Sequence, residues 1–217
     1  MARQLSPLAR LLVKATLIGV CTMTLCGIVW WWSAARTDYE TGVGWTVDQP
    51  VPFSHQHHVG GLGLDCRFCH ADVERSADAG MPPTHTCMTC HSQIWTNAAL
   101  LAPIRESLAD NRPIQWRRVN RLPDYVYFHH DIHIAKGIGC SECHGAVGGM
   151  NLMARERPFT MKFCLDCHRD PAPHLRPAED LFDTEWRRDD ATPKPEALFA
   201  FYHLGGRKLT DCSICHR

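Results

Sequence analysis

The scarcity of long apolar runs in this 217-residue chain limits the folds that it can adopt. Beyond residue 32 it has no long apolar run, and 14 prolines and 15 glycines interrupt it. Such a sequence cannot build a large conventional core, so a group other than protein side chains must supply apolar mass. The formal net charge is zero, which gives no reason to expect a nucleic-acid partner.

Ten of the twelve cysteines lie in five copies of CxxCH. This sequence attaches a c-type haem, because the two thiols add to the vinyl groups of one porphyrin and the following histidine binds the iron from one face. We number the copies motifs 1 to 5 in chain order: Cys66, Cys69, His70; Cys87, Cys90, His91; Cys140, Cys143, His144; Cys164, Cys167, His168; Cys212, Cys215, His216. A lone copy could be a zinc-binding pair or a dithiol redox motif. Five copies that all end in histidine predict five c-type haems, with the porphyrins as the core.

A second pattern, F-x-H-x-x-H, occurs at residues 53–58 and again at residues 128–133. Each copy precedes two CxxCH motifs, and a shortened copy at residues 201–203 precedes motif 5. The repeat predicts two-haem modules at residues 53–127 and 128–200 and a single-haem half-module at residues 201–217. Histidines three residues apart lie on one side of a helical turn, so a full copy can offer sixth ligands to two neighbouring haems. The five distal ligands predicted in this way are His55, His58, His130, His133 and His203.

Other side chains remain open as distal ligands. A methionine ligand would raise the potential of its haem, although a methionine in a haem protein more often packs against apolar groups. The alternative candidates are His85, His174, Met81, Met150, Met153 and Met161. His57 and His129, which flank predicted ligands, are expected at the surface or near haem propionates.

The N-terminal region predicts a membrane anchor. Residues 1–14 are basic and contain no acidic residue, and residues 15–32 contain no charge. This uncharged stretch is near the lower length limit for crossing a bilayer, and three tryptophans close it, as in an aromatic belt. We therefore expect a cytoplasmic N-terminus at residues 1–14, a transmembrane anchor at residues 15–35 and the haem domain outside a bacterial membrane. The alternative is a signal peptide cleaved after Ala35.

The expected fold is mostly irregular, with short α-helices around the five haems. We expect a linker without a regular element at residues 36–52. A helix over residues 94–110 should be interrupted at Pro103, and residues 113–119 alternate like a short strand. The proline-rich residues 171–197 predict a surface loop that could serve for docking.

The motifs resemble those of a known group. F-x-H-x-x-H ahead of CxxCH resembles the class III multihaem cytochromes of the c3 and c7 types. The anchor followed by QPVPFSHQHHVGGLGLDCRFCH, MPPTHTCMTCHSQIWTN and LPDYVYFHHDIH resembles the pentahaem cytochrome c subunit of bacterial alternative complex III, over essentially the whole chain. The resemblance implies a bacterial inner-membrane complex with the haem domain in the periplasm. Its implied partners are an iron–sulfur subunit, polytopic quinol-binding subunits, a monohaem cytochrome c subunit and a terminal oxidase.

Three functions compete. The first is an electron relay within such a quinol:acceptor oxidoreductase, from the iron–sulfur subunit towards a cytochrome c or a terminal oxidase, with no substrate site of its own. The second is a stand-alone, membrane-anchored multihaem quinol dehydrogenase. The third is a multihaem reductase of a small substrate such as nitrite, which would need an open iron position. Five distal histidines for five irons favour the relay.

Overall fold

The computed structural model describes residues 6–206 and 208–216. The chain divides into two compact units, Met1–Gly42 and Val43–Arg217. Over the described residues the regular structure is helical, without a β-strand, and the only β pairing consists of isolated bridges such as Ile138 with Leu175. The expectation of short helices in a mostly irregular chain is confirmed.

The first unit contains a long apolar helix, α1 (Pro7–Ala34). The Ser6 hydroxyl accepts a hydrogen bond from the Ala9 N–H at 3.2 Å, and a proline occupies the first position of the helix; both are common starts for a helix. Its 28 residues span about 42 Å at about 1.5 Å per residue, more than the roughly 30 Å of a hydrocarbon core. The helix is therefore long and apolar enough to cross a membrane.

A short helix follows α1 where the sequence predicted a linker without a regular element. This helix, α2 (Asp38–Thr41), ends at Gly42, which has a left-handed φ of 69°. Acidic residues in its first turn and a glycine after its last residue both favour a helix. That part of the linker prediction is wrong.

The second unit is a series of short helices joined by irregular chain. Its α-helices are α3 (Cys66–Cys69), α4 (Thr84–His91), α5 (Ala102–Ala109), α6 (His130–Ala135), α7 (Cys140–His144), α8 (Met161–Arg169) and α9 (Pro195–Phe201). One π-helical turn, Gln56–Gly61, holds part of the first F-x-H-x-x-H copy. Single 3₁₀ turns lie at Ala99–Leu101, Val147–Gly149, Ala172–His174, Ala178–Asp180 and Cys212–Ile214.

Every CxxCH motif begins in one of these helical turns. Motifs 2, 3 and 4 lie within α4, α7 and α8, whereas His70 follows α3 and motif 5 extends past the last 3₁₀ turn. Asp65 and Asp211 each precede the first cysteine of a motif and accept a hydrogen bond from the backbone N–H two residues later, at 2.8 and 2.9 Å. Residues i, i+3 and i+4 share one face of a helix, so such a turn presents two sulfurs and one imidazole on the same side.

Protein side chains form only small buried clusters in the described chain. They are Leu175, Leu198, Tyr202 and Leu204; Val51, Leu101 and Ile104; and Val73, Ile134 and Leu181. Clusters of three or four residues remove little apolar surface from water for a unit of this length. The protein alone therefore has a weak core, as the sparse apolar sequence predicted.

Two local predictions between motifs 2 and 3 are wrong. The helix begins at Ala102 rather than at residue 94, so that Pro103 lies in its first turn, where a missing N–H costs nothing. Residues 113–119 form no strand. Ile114 and Trp116 do pack against the Val51 cluster, which explains the alternation. However, the side chain of Gln49, rather than a second strand, bonds the Arg117 backbone at 2.8 and 2.9 Å.

The interpretation of residues 171–197 as a surface loop is wrong at three buried positions, although many other residues of the segment are exposed. Leu175 is 0% exposed, Arg176 2% and Leu181 6%. Two 3₁₀ turns, Ala172–His174 and Ala178–Asp180, fold the segment inward around these residues. Because the segment is rich in prolines and charged residues, its sequence does not identify the few positions that are buried.

Candidate functional site

The two full copies of F-x-H-x-x-H adopt the same ring arrangement. In the first, Phe53 stacks on His58 with centroids 4.4 Å apart and meets His55 edge-on at 5.0 Å. In the second, Phe128 stacks on His133 at 4.4 Å and meets His130 edge-on at 4.8 Å. One copy lies at a π-helical turn and the other in α6, so the phenylalanine, rather than the helix type, orients the two imidazoles.

Three of these imidazoles face the histidine of a CxxCH motif at nearly the same separation. The ring centroids are 6.2 Å apart for His58 and His91, 6.3 Å for His130 and His144, and 6.1 Å for His133 and His168. The Phe–His stacks are much tighter, at 4.4 Å. A metal–imidazole bond of about 2 Å places two rings on opposite sides of one metal with centroids roughly 6 Å apart. The three pairs therefore have the spacing of two axial ligands.

His55 has a ring contact with Phe53 and, in the described residues, none with a motif histidine. It is close enough to His70 for the two rings to interact electrostatically, and its buried Nδ1 has no hydrogen-bond partner in the described chain. Burial lowers the pKa of His55 to about 4, and nearby His70 and His58 add to this effect. His55 is thus a neutral imidazole with an unused polar atom.

Hydrogen bonds fix the tautomer of the motif histidines. In four of them Nδ1–H donates to a backbone carbonyl, which leaves Nε2 with a free lone pair for a metal. These bonds join His70 to Gly80 at 2.7 Å, His91 to Ile94 at 3.3 Å, His168 to Leu209 at 2.8 Å and His216 to Tyr125 at 3.2 Å. Three of the repeat histidines follow the same rule: His58 donates to the Ser54 carbonyl at 2.9 Å, His130 to that of Ala77 at 2.8 Å and His133 to that of His129 at 2.7 Å.

The fifth motif histidine, His144, uses a side chain instead. Its Nδ1 lies 3.0 Å from Nδ2 of Asn120, and the buried Oδ1 of the same amide has no partner in the described chain. With the amide turned so that Oδ1 faces the ring, Nδ1–H donates to Oδ1 and both atoms are satisfied. Asn120 therefore fixes the tautomer of His144, as backbone carbonyls do for the other four motif histidines.

Electrostatics keep the buried imidazoles uncharged. Burial lowers the pKa of His144 to about 4, and His130, His70 and His55 lower it further by charge repulsion. Burial also lowers the pKa of His133. A neutral imidazole is the form that binds a metal, so these rings are ready to ligate at neutral pH. The free cysteine thiols, the shared helix faces and the facing imidazoles together fit covalently attached haem.

Comparison with known proteins agrees with this chemistry. No protein-family model matches the chain. Over 187 residues it is 31% identical to the "Menaquinone reductase, multiheme cytochrome c subunit" of Nitratidesulfovibrio vulgaris, an alignment that covers 86% of this chain and 73% of that protein. The chain belongs to the multihaem cytochrome c family. The expectation of a multihaem cytochrome with c-type haems is confirmed, whereas membership of alternative complex III is narrower than this relative supports and stays a prediction.

The shortened third repeat of the cytochrome does not reproduce the geometry of the other two. Tyr202 is buried and its hydroxyl donates to the Arg176 carbonyl at 2.7 Å, whereas Phe201 is 67% exposed. His203 is exposed with a left-handed φ of 52°. No ring contact joins it to His216 in the part of the chain that the structure describes. Because Tyr202 takes the buried position, the Phe–His stack of the full copies cannot form here.

The other proposed distal ligands of the cytochrome have varied surroundings. His85, Met81 and Met161 are exposed, and Met150 and Met153 are half-buried. The Nδ1 atom of His174 is 2.9 Å from a carboxylate oxygen of Glu142. None of these side chains has a ring contact with a motif histidine in the described residues. Of the flanking histidines, His57 stacks on Trp95 at 5.6 Å, and His129 lies 3.3 Å from Asp131.

A buried arginine holds the two residues between the motif-3 cysteines. The Arg176 guanidinium donates to Ser141 Oγ at 2.5 Å, to Glu142 Oε1 at 2.9 Å and to the Asp183 carbonyl at 2.9 Å. Burial tends to raise the pKa of Glu142, but the hydrogen bonds and charges of His174 and Arg176 lower it below its ordinary value. The ionised Glu142 therefore anchors α7, and with it motif 3.

Sequence reasoning missed these supporting groups. The carbonyls of Ala77, Gly80 and Leu209 act through backbone atoms, which leave no signature in residue type. Asn120 and Arg176 are distant from their partners in the chain, and neither lies in a recognisable motif. Only the histidines and cysteines themselves were identifiable from the sequence.

Proposed function

We propose that this cytochrome binds five c-type haems and relays electrons within a quinone-linked membrane complex. The cysteines of each motif would form the two thioether bonds and the motif histidine would be the first axial ligand. The second axial ligands that we propose for motifs 1 to 4 are His55, His58, His130 and His133 respectively. For motif 5 we retain His203 as the proposed ligand.

The observation that carries this proposal is the set of three facing imidazole pairs at 6.1 to 6.3 Å. Each pair combines one repeat histidine with one motif histidine, and hydrogen bonds leave Nε2 free on both rings. When bound, haem iron supplies reversible one-electron uptake and release. The two sulfurs of a motif would hold the group covalently, and the two imidazoles would orient it.

The small protein core supports the same proposal. Clusters of three or four residues leave the helical turns of the second unit with few apolar partners of their own. A porphyrin attached at each motif would supply the missing apolar surface. The two axial imidazoles also argue for a relay rather than a reductase, since they leave no position for a substrate at motifs 1 to 4.

Helix α1 and the relative support membrane attachment and partner subunits. The relative is named as a subunit of a menaquinone reductase, and α1 is suited to crossing a bilayer. Arg10 and Lys14 favour the N-terminus on the cytoplasmic side. We propose an inner-membrane protein with its haem domain in the periplasm, in a complex resembling alternative complex III. An iron–sulfur subunit, polytopic quinol-binding subunits and a monohaem cytochrome c or terminal oxidase would be its partners.

The experiment is purification from membranes in mild detergent, followed by addition of a short-chain menaquinol. The relay predicts that the cytochrome elutes with larger membrane subunits and that its haem absorption bands become reduced. An inhibitor that binds quinone sites should prevent this reduction, as the control. Quinol oxidation by the isolated chain would support the stand-alone dehydrogenase instead. Haems that stay oxidised in an intact complex supplied with quinol would contradict the relay.

A further inference from the structure

The five attachment motifs contact one another in an order that differs from their order in the chain. We propose that the haem sites form a single series in space: motif 2, motif 1, motif 3, motif 4, motif 5. This inference rests on the proposed function, because it concerns sites that hold haem. It specifies which sites are neighbours and which two are the ends, neither of which the chain order predicts.

The link between motifs 2 and 1 is the first F-x-H-x-x-H copy. His55 and His58 both contact Phe53. His58 faces His91 of motif 2, while His55 interacts with His70 of motif 1. Two sites whose axial histidines contact one phenylalanine must be adjacent. The thiols of Cys69 and Cys87, one from each motif, also interact electrostatically.

Motifs 1 and 3 are linked directly in space, although motif 2 lies between them in the chain. Cys66 of motif 1 and Cys140 of motif 3 bond consecutive carbonyls of one segment: the Cys66 thiol donates to Phe182 at 3.7 Å and the Cys140 N–H donates to Leu181 at 3.1 Å. Residues 76–80 also join the sites, because Gly80 accepts from His70 of motif 1 and Ala77 accepts from His130, the partner of motif 3. One short loop therefore positions an axial histidine for each site.

The second F-x-H-x-x-H copy links motifs 3 and 4. His130 and His133 both contact Phe128 and face His144 and His168 respectively. Cys143 of motif 3 interacts electrostatically with Cys164 and Cys167 of motif 4. The arrangement of motifs 2 and 1 around the first copy is thus repeated.

Motif 4 leads to motif 5. The Nδ1–H of His168 donates to the Leu209 carbonyl at 2.8 Å, three residues before Cys212. Cys164 and Cys215 interact electrostatically. In the described residues the ring contacts of His91 are with His58 and Trp95, and none is with motif 3, 4 or 5. Motifs 2 and 5 are therefore the two ends of the series, where redox partners would have to approach.

The geometry also supplies a spectroscopic reporter for the middle of the series. The imidazole planes at motif 3 are 8° apart, whereas those at motif 2 are 66° apart. Near-parallel axial imidazoles give a low-spin ferric EPR signal with a smaller highest g value than strongly crossed ones. The motif-3 haem should therefore be distinguishable from the motif-2 haem in the fully oxidised protein.

The test uses two matched variants of the full cytochrome in its complex, His55→Met and His58→Met. Methionine ligation raises the potential of one haem, so that at a suitable poise this haem alone is reduced and diamagnetic. The proposed order predicts that loss of the neighbouring spin slows relaxation of the motif-3 EPR signal in His55→Met and changes it much less in His58→Met. An equal or larger effect in His58→Met would overturn the order, because motif 2 would then be the neighbour of motif 3.

A map of iron positions by electron cryomicroscopy of the unaltered complex decides the question even if a variant fails to load haem. The expected shortest iron separations join motifs 2 and 1, 1 and 3, 3 and 4, and 4 and 5. A motif-2 iron whose nearest neighbour is the motif-3 iron would refute the inference. Five irons in another order would contradict the series alone, whereas missing irons would contradict the proposed function itself.

Discussion

Replacing Arg176 by methionine removes the clamp on motif 3 while roughly preserving the length of the side chain. The substitution deletes hydrogen bonds to Ser141, Glu142 and the Asp183 carbonyl, from a residue that is only 2% exposed. A hydrogen bond from a charged group contributes about 1.5–3 kcal/mol, and breaking a fully buried ion pair costs about 3–5 kcal/mol. The Glu142 side chain is 26% exposed and keeps His174 as a partner. We therefore expect the substitution to lower the free energy of unfolding by about 3 kcal/mol, the lower end of the range for a buried ion pair.

The assay is thermal unfolding of the haem-loaded cytochrome, followed by far-UV circular dichroism at one fixed heating rate. For a domain of about 150–250 residues, 1 kcal/mol shifts the midpoint by about 2–4 °C, so Arg176→Met should lower it by about 6–12 °C. Arg188→Met is the matched control, since Arg188 lies over the same ring, that of Trp186, and donates to two backbone carbonyls, but does not contact motif 3. Equal shifts in the two variants would refute the assigned role of Arg176.

Three further predictions concern single groups. The hydrogen bond to Glu142 raises the pKa of His174, with smaller influences from Asp170 and Arg157. The stabilisation by protonated His174 is therefore complete below the unfolded pKa and is lost as pH rises through the folded pKa. His174→Gln should lower the unfolding midpoint more at about pH 6 than at about pH 9, and a loss that does not depend on pH would contradict this. His203→Met should keep every haem attached and raise the potential of one haem, since axial ligands move potentials over about 0.8 V across haem proteins, and an unchanged EPR spectrum would exclude His203 as a ligand. Sequencing of the mature N-terminus should find α1 retained, whereas a chain that begins at Arg36 would show that it is cleaved.

The sequence predicted the chemical groups of the site better than their surroundings. Thioether attachment and iron ligation require particular residue types at particular spacings, so cysteines and histidines such as Cys66 and His58 were recognisable without a structure. That His58 lies opposite a motif histidine could also be anticipated, because each full repeat copy supplies two imidazoles to a module with two CxxCH motifs. The carbonyl of Gly80 could not, since any residue offers a carbonyl.

Long-range packing accounts for the remaining differences. Leu175 and Arg176 lie in a proline-rich, charged segment whose average composition is that of a surface loop, although both side chains are buried. The alternation at Ile114 and Trp116 reflects packing on one side of an extended chain, but a strand also needs a partner strand. The proposed adjacency of motifs 1 and 3 depends on bonds from Cys66 and Cys140 to Phe182 and Leu181, which no local pattern encodes.

The measurement that tests the account most directly is the intact mass of the purified cytochrome after acid–acetone treatment. This treatment extracts haem that is held only by axial ligands and leaves haem that is held by thioether bonds. The ten cysteines of the five motifs predict that the mass exceeds that of the polypeptide by five haems. A mass that corresponds to fewer than five covalent haems would contradict the account.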